Sequence, residues 1–179
     1  MIRLKSHTIA CLLPVFAFVS SANAATTAFI NVNVISMTSE QVDRSRTVLI
    51  EDGRISVIGP VDATPLPKDI VIVDGTDRYL MPGLAEMHAH VPDGNSPELG
   101  RTLTLFAANG VTTIRGMLGR PSHLQLRDDI NREKVFGPRL ITSGPSLNGN
   151  SVSNVNDGVR QVRAQFAAGY DFIKIHPGL

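Results

Sequence analysis

The 179-residue sequence has a single cysteine, Cys11, near its start. One thiol cannot make an internal disulfide, so stability must come from an apolar core or a bound metal. An excess of charge of one sign is also missing: 17 Lys and Arg face 16 Asp and Glu, a formal charge of +1, with no basic stripe. The electrostatic footprint of a nucleic-acid binder is therefore absent, and no nucleic-acid partner is expected. There are no low-complexity tracts and no repeat of solenoid period. The one apolar run of note, Ile9 to Val19, is too short to span a bilayer as a stable helix. What remains, 42% hydrophobic and 18% charged residues, is the composition of a soluble globular protein. The length suits one ordinary domain and is short for two.

The first residues read as a targeting signal. Arg3 and Lys5 give a positive start, the apolar run follows, and Ala22-Asn23-Ala24 is a small-residue cleavage site. Residues 1–24 are accordingly expected to be removed, leaving an exported, periplasmic or secreted protein with no cysteine and no stable membrane insertion. A lipoprotein anchor at Cys11 fits less well, because Thr8-Ile9-Ala10 lacks the leucine such a site would carry.

Residues 25–81 read as part of a small β-sandwich. Ala28 to Ser36, Arg46 to Glu51, Arg54 to Ile58 and Ile70 to Asp74 are rich in Val and Ile. Asp52-Gly53 is a two-residue hairpin signal. The pattern changes at Met81-Pro82-Gly83. From there strands alternate with helical stretches, which argues for parallel βα units over residues 82–179. Strands are expected at Leu84 to His90, Val111 to Arg115, Arg139 to Ser143 and Tyr170 to His176. The first helix starts at Ser96-Pro97-Glu98, buries Leu99, Leu103 and Phe106, and ends at Gly110. Ser122 and Gln125 have capping-box spacing for the second. Val155, Val159, Val162 and Phe166 form the apolar face of the third, closed by Gly169. Four strands and three helices make half of a (β/α)8 barrel, so the expected fold class is α/β, a partial TIM-type barrel behind a partial sandwich.

His88 and His90 fall near the carboxyl end of the first of these strands. A strand's side-chain period of two points both rings to one face and Ala89 to the other. Two imidazoles on one face can share a divalent metal. Alone, an H-x-H pair is equally well a pair of hydrogen-bonded surface histidines; its place where the loops of a barrel's catalytic face begin favours ligands. Glu86, two residues earlier, reads either as an acceptor fixing a histidine tautomer or as a carboxylate paired deeper in the barrel. His123, at a helix start, is expected to be solvated.

Leu80-Met81-Pro82-Gly83-Leu84-Ala85-Glu86-Met87-His88-Ala89-His90 resembles the entry to the barrel in the amidohydrolase superfamily, where a small sandwich leads through a Pro-Gly turn into strand one and its H-x-H ligands. Asp52-Gly53-Arg54-Ile55, Gly110-Val111-Thr112-Thr113-Ile114-Arg115, and Gly137-Pro138-Arg139-Leu140 with Ser143-Gly144-Pro145 resemble further parts of it. The resemblance is to the imidazolonepropionase-like and dipeptidase-like branch, and it spans residues 28 to 176. By strand position alone, Lys174 reads as a lysine whose ammonium reaches solvent at the strand end; the resemblance implies instead that Lys174, flanked by Ile173 and Ile175, is the fourth-strand lysine of binuclear members. There a desolvated neutral amine takes up carbon dioxide and becomes a carbamate bridging two cations. His176 shares a face with Lys174 and lines the same pocket in this reading. Where the family's second strand often continues Arg-Asp, this chain has Arg115-Gly116, so no role of that acidic position carries over.

The resemblance implies a metal-dependent hydrolase of the C–N bonds of cyclic amides or small peptides. It would use a divalent metal, two zinc ions in a complete site, and a metal-activated water. A homo-oligomer is compatible with it. The catalytic aspartate and two further histidines are expected beyond Leu179, so this chain alone is expected to be inactive. The competing classes are a non-enzymatic half-barrel that assembles with a second chain, and a periplasmic binding protein with no need for metal or Lys174.

Overall fold

The computed structural model describes residues 26–178, and the expected signal segment 1–24 lies outside them. The chain forms two compact units, one ending at Met81 and the other beginning at Pro82.

The first unit is a five-stranded sheet of β1 (Thr27–Val34), β2 (Asp43–Glu51), β3 (Arg54–Pro60), β4 (Val71–Asp74) and β5 (Tyr79–Leu80). Its order is β3-β2-β1-β4, with β5 also on β1. The β2–β3 hairpin closes at Glu51 opposite Arg54. Asp52 and Gly53 between them both have positive φ, 50° and 71°, as a primed two-residue turn demands of its central pair. Val32, Val34 and Val48 form a small core with Phe29 and Leu80. Ile55, Ile58, Val71 and Ile72 stay exposed.

The second unit alternates strand and helix: β6 (Leu84–Ala89), α1 (Leu99–Ala108), β7 (Val111–Gly116), α2 (Ser122–Asn131), β8 (Arg139–Thr142) and α3 (Val155–Ala168). The strands pair in parallel in the order β6-β7-β8. Ala89, Val91, Leu99, Leu103, Ile114, Leu126, Ile130 and Leu140 form one core, drawn from the strands and from α1 and α2. It fixes which strand residues face the helices and so which face away from them.

Three expectations need correction here. The segment Tyr170 to His176 is not a strand; it touches the sheet through two isolated parallel bridges, Ser143 to Phe172 and Leu147 to Ile175. Pro145 lies between the two bridged positions and has no N–H to continue a ladder. Ser122 does not cap α2: the N-cap is Pro121, with no side-chain cap bond. Its hydroxyl is used elsewhere, as described below. Finally, the expected apolar face of α3 is not a core face. Val155 and Phe166 are each 82% exposed, and only Gln165 of the helix is buried. The helix is nonetheless well terminated. The Asn154 side chain accepts the Asp157 N–H at 3.0 Å, and Gly169 closes the other end at φ 87°.

Candidate metal centre

Ala89 is 3% exposed within the core, so alternation along β6 turns its two neighbours away from the helices. His88 and His90 are both exposed, with ring centroids 5.4 Å apart and planes inclined at 45°. Two imidazoles each about 2.0–2.1 Å from a tetrahedral cation place their ring centroids about 5 Å apart. The observed centroid separation matches that spacing.

Glu86 does not reach either ring by a hydrogen bond. Its Oε1 accepts the main-chain N–H of His88 at 2.8 Å. The strand is irregular at this point. Glu86 pairs with Ile114 and Ala89 with Gly116, so two residues of β6, Met87 and His88, stand against one of β7, Arg115. A bulge of this kind re-aims the side chains at a strand end.

The loop after His90 is tied to the start of α2. His123 Nε2 lies 3.0 Å from the Pro92 carbonyl oxygen. Ser122 Oγ donates to Asp93 Oδ1 at 2.9 Å and accepts from Gly94 N at 3.0 Å. Arg120 approaches the same carboxylate at 3.8 Å. The Ser122 hydroxyl and the Asn95 N–H hold the Asp93 carboxyl below the usual range. His123 is 0% exposed, against the expectation that it is solvated, and burial pushes its pKa down. The signal for this burial was its spacing: His123, Leu126 and Ile130 are the buried residues of α2, at i, i+3 and i+7.

Lys174 and His176 belong to a separate segment that borders the residues after β8. The Lys174 carbonyl accepts Leu147 N–H, and His176 N–H is donated to the Leu147 carbonyl, both at 2.9 Å. Lys174 is half-buried and His176 exposed. Ile173 and Ile175 line a groove of about 720 Å³ against Val155, Val159 and Val162 of α3, and Lys174 between them does not. Phe172 lies under the Arg115 guanidinium, 4.6 Å from its ring centroid. The structure thus brings His88 and His90 together, links Glu86 to the His88 main chain, and holds Lys174 and His176 on another segment. Among the described residues no three His, Cys, Asp or Glu side chains gather as a metal site.

No family model matches the chain. It is 37% identical over 73 residues to a dihydroorotase of Ligilactobacillus salivarius, covering 39% of this chain and 17% of that one. It is 31% identical over 71 residues to an enamidase of Eubacterium barkeri, covering 38% and 18%. Among solved structures, a candidate prolidase from Bifidobacterium longum superposes with TM-score 0.72 at 27% identity, over 86% of this chain and 41% of that one. These matches support the amidohydrolase superfamily. A bottromycin amidohydrolase, at 24% identity and TM-score 0.67, shares the fold over 86% of this chain and 34% of its own. The chain spans 16% to 21% of the length of the curated relatives it matches.

Proposed function

We propose that this chain is part of a metal-dependent amidohydrolase that cleaves C–N bonds of cyclic amides or small peptides, with His88 and His90 as metal ligands. The observation that carries this reading is the exposed, 5.4 Å imidazole pair at the carboxyl end of β6 in a chain whose matches support this superfamily. On this reading β6, β7, β8 and the segment around Phe172 to Ile175 are the first four strand positions of a (β/α)8 barrel. Catalytic groups of such barrels sit at that end of the strands.

A bound divalent cation supplies Lewis acidity and a lowered pKa for water. The chain's own part is to orient the donors. Buried Ala89 leaves the rings on either side of it turned outward, and the Glu86 carboxylate fixes the main chain at His88. Lys174 is the proposed third donor. Addition of its amine nitrogen to carbon dioxide forms an N–C bond at the expense of one C–O π bond and releases a proton, and the resulting carbamate shares one negative charge over two oxygens. Two imidazoles and one carbamate do not fill the coordination of two zinc ions, so further ligands come from outside the described residues. Residues 1–24 are proposed to direct export, so amino-terminal sequencing of the exported form should begin at Ala25.

The test is metal binding by the purified chain. Wild type should bind zinc or cobalt, and His88→Ala with His90→Ala should lose it. A double variant that retains the wild-type metal content would overturn the assignment.

A further inference from the structure

We infer that Ser122 and His123 form a positioning clamp for the loop after His88-Ala89-His90, and that this clamp sets how tightly the histidine pair holds a divalent cation. The inference rests on the reading of that pair as ligands, but the clamp itself is built from different residues.

Two consecutive side chains at the start of α2 grip three consecutive loop residues. His123 Nε2 meets the Pro92 carbonyl at 3.0 Å, and Ser122 Oγ bridges the Asp93 carboxylate and the Gly94 N–H at 2.9 and 3.0 Å. Gly94 permits the approach, because a Cβ there would lie 2.9 Å from Ser122 Cβ. The first gripped residue is only two positions beyond His90. The carbonyl can only accept, so Nε2 carries the proton. Nδ1 is then the unprotonated nitrogen, and it has no hydrogen-bond partner among the described residues. A buried polar atom left this way is costly, and a purely packing role at this site would favour an apolar residue. The imidazole instead orders the exit of the strand bearing the proposed ligands. Groups outside a metal's ligand set that hold its ligands in place commonly change metal affinity when altered.

The experiment uses the whole chain and two readouts. Cobalt titration measures affinity, and amide hydrogen exchange at Gly94 measures the clamp. His123→Leu should weaken cobalt binding by about 10-fold and speed exchange at Gly94. His123→Gln, whose amide N–H can reach the Pro92 carbonyl, should recover most of both. If His123→Leu does not fold, Ser122→Ala carries the same two readouts, since it releases Asp93 and Gly94 without opening the core. Unchanged cobalt affinity and unchanged Gly94 exchange in a folded variant would overturn the clamp. So would faster exchange with wild-type affinity, which makes the contact merely structural. If wild type binds no cobalt, or binds it equally well after His88→Ala, the ligand reading fails, and without it the affinity role assigned to the clamp is overturned as well. The Gly94 readout then reports only whether the contact exists.

Discussion

Helices α1 and α3 carry apolar residues at similar helical spacing, yet Leu103 of α1 is fully buried while Phe166 of α3 is 82% exposed. The difference lies in what each helix has to lie on. The core that takes in α1 and α2 is floored by Ile114 of β7 and Leu140 of β8, in strands that pair continuously. α3 faces a segment whose strand-like pairing is limited to two isolated bridges with residues after β8. An amphipathic pattern states which face of a helix can be buried; the pairing of the neighbouring strands decides whether there is anything to bury it against.

The largest effect should come from the closed side. Leu103→Ala removes a fully buried side chain from the centre of the core, and large-to-small changes of this type cost about 2–5 kcal/mol. Urea unfolding followed by circular dichroism should show it. A loss under about 1 kcal/mol would mean that the α1 side is as loosely packed as the α3 side.

A smaller effect is expected where the two sides are tied together. Asp171 Oδ2 accepts from Thr142 N at 2.8 Å and from Arg127 Nη1 at 3.1 Å, joining the segment after α3 to β8 and α2. Hydrogen bonds to charged groups contribute about 1.5–3 kcal/mol when part-buried. Asp171→Ala should therefore cost on that order and raise hydrogen exchange from Tyr170 to His176 more than in α1. Equal protection in both regions after the change would show that the tie is not what holds the segment.

How far the sequence could be read follows the same division. The Asp52-Gly53 turn, the alternation of strand and helix after Pro82, and the outward pairing of His88 and His90 all depend on spacing within one element. Each was legible. The fourth strand was not, because its formation depends on a ladder through Ser143 to Leu147 that Pro145 interrupts. Glu86 is placed beside the histidines by simple alternation, and the contact it makes there is with the His88 main chain. His123 was misjudged because a titratable residue near a helix start suggests solvent. Its partner, the Pro92 carbonyl, is 31 positions away in sequence.

His123 also gives the closed side a histidine-linked pH dependence. Burial lowers its pKa from the ordinary 6.5, against the raising influence of the Pro92 carbonyl and the Asp93 carboxylate and with a lowering one from Arg120. The unfolded chain therefore takes up this proton first as pH falls. The stability linked to neutral His123 is complete above about pH 6.5 and is lost as pH drops from there through the folded value. Asp93, with its own pKa lowered from 3.8, adds a second loss at more acid pH. Thermal unfolding between pH 8 and 5 should show the first loss in wild type and a flatter profile in His123→Leu. An identical slope in the two proteins would remove His123 as its source.

The smallest effect on stability should come from the open side, at Phe166→Ser. A ring that is already 82% exposed leaves little more area for the substitution to uncover. Phe and Ser have similar intrinsic helix propensity, so the backbone term also nearly cancels. The change should fall within about 0.5 kcal/mol, as for surface positions generally. Solution behaviour should change more than stability. Phe166 belongs to an exposed apolar set with Val155, Val159 and Val162, and such patches promote association. Sedimentation at increasing concentration should show less self-association for Phe166→Ser than for wild type. Unfolding should be measured at a concentration where the wild type is monomeric. A loss of about 2 kcal/mol or more there would mean that the α3 face is covered within the monomer, since only a buried ring costs that much. The contrast between α1 and α3 would then disappear.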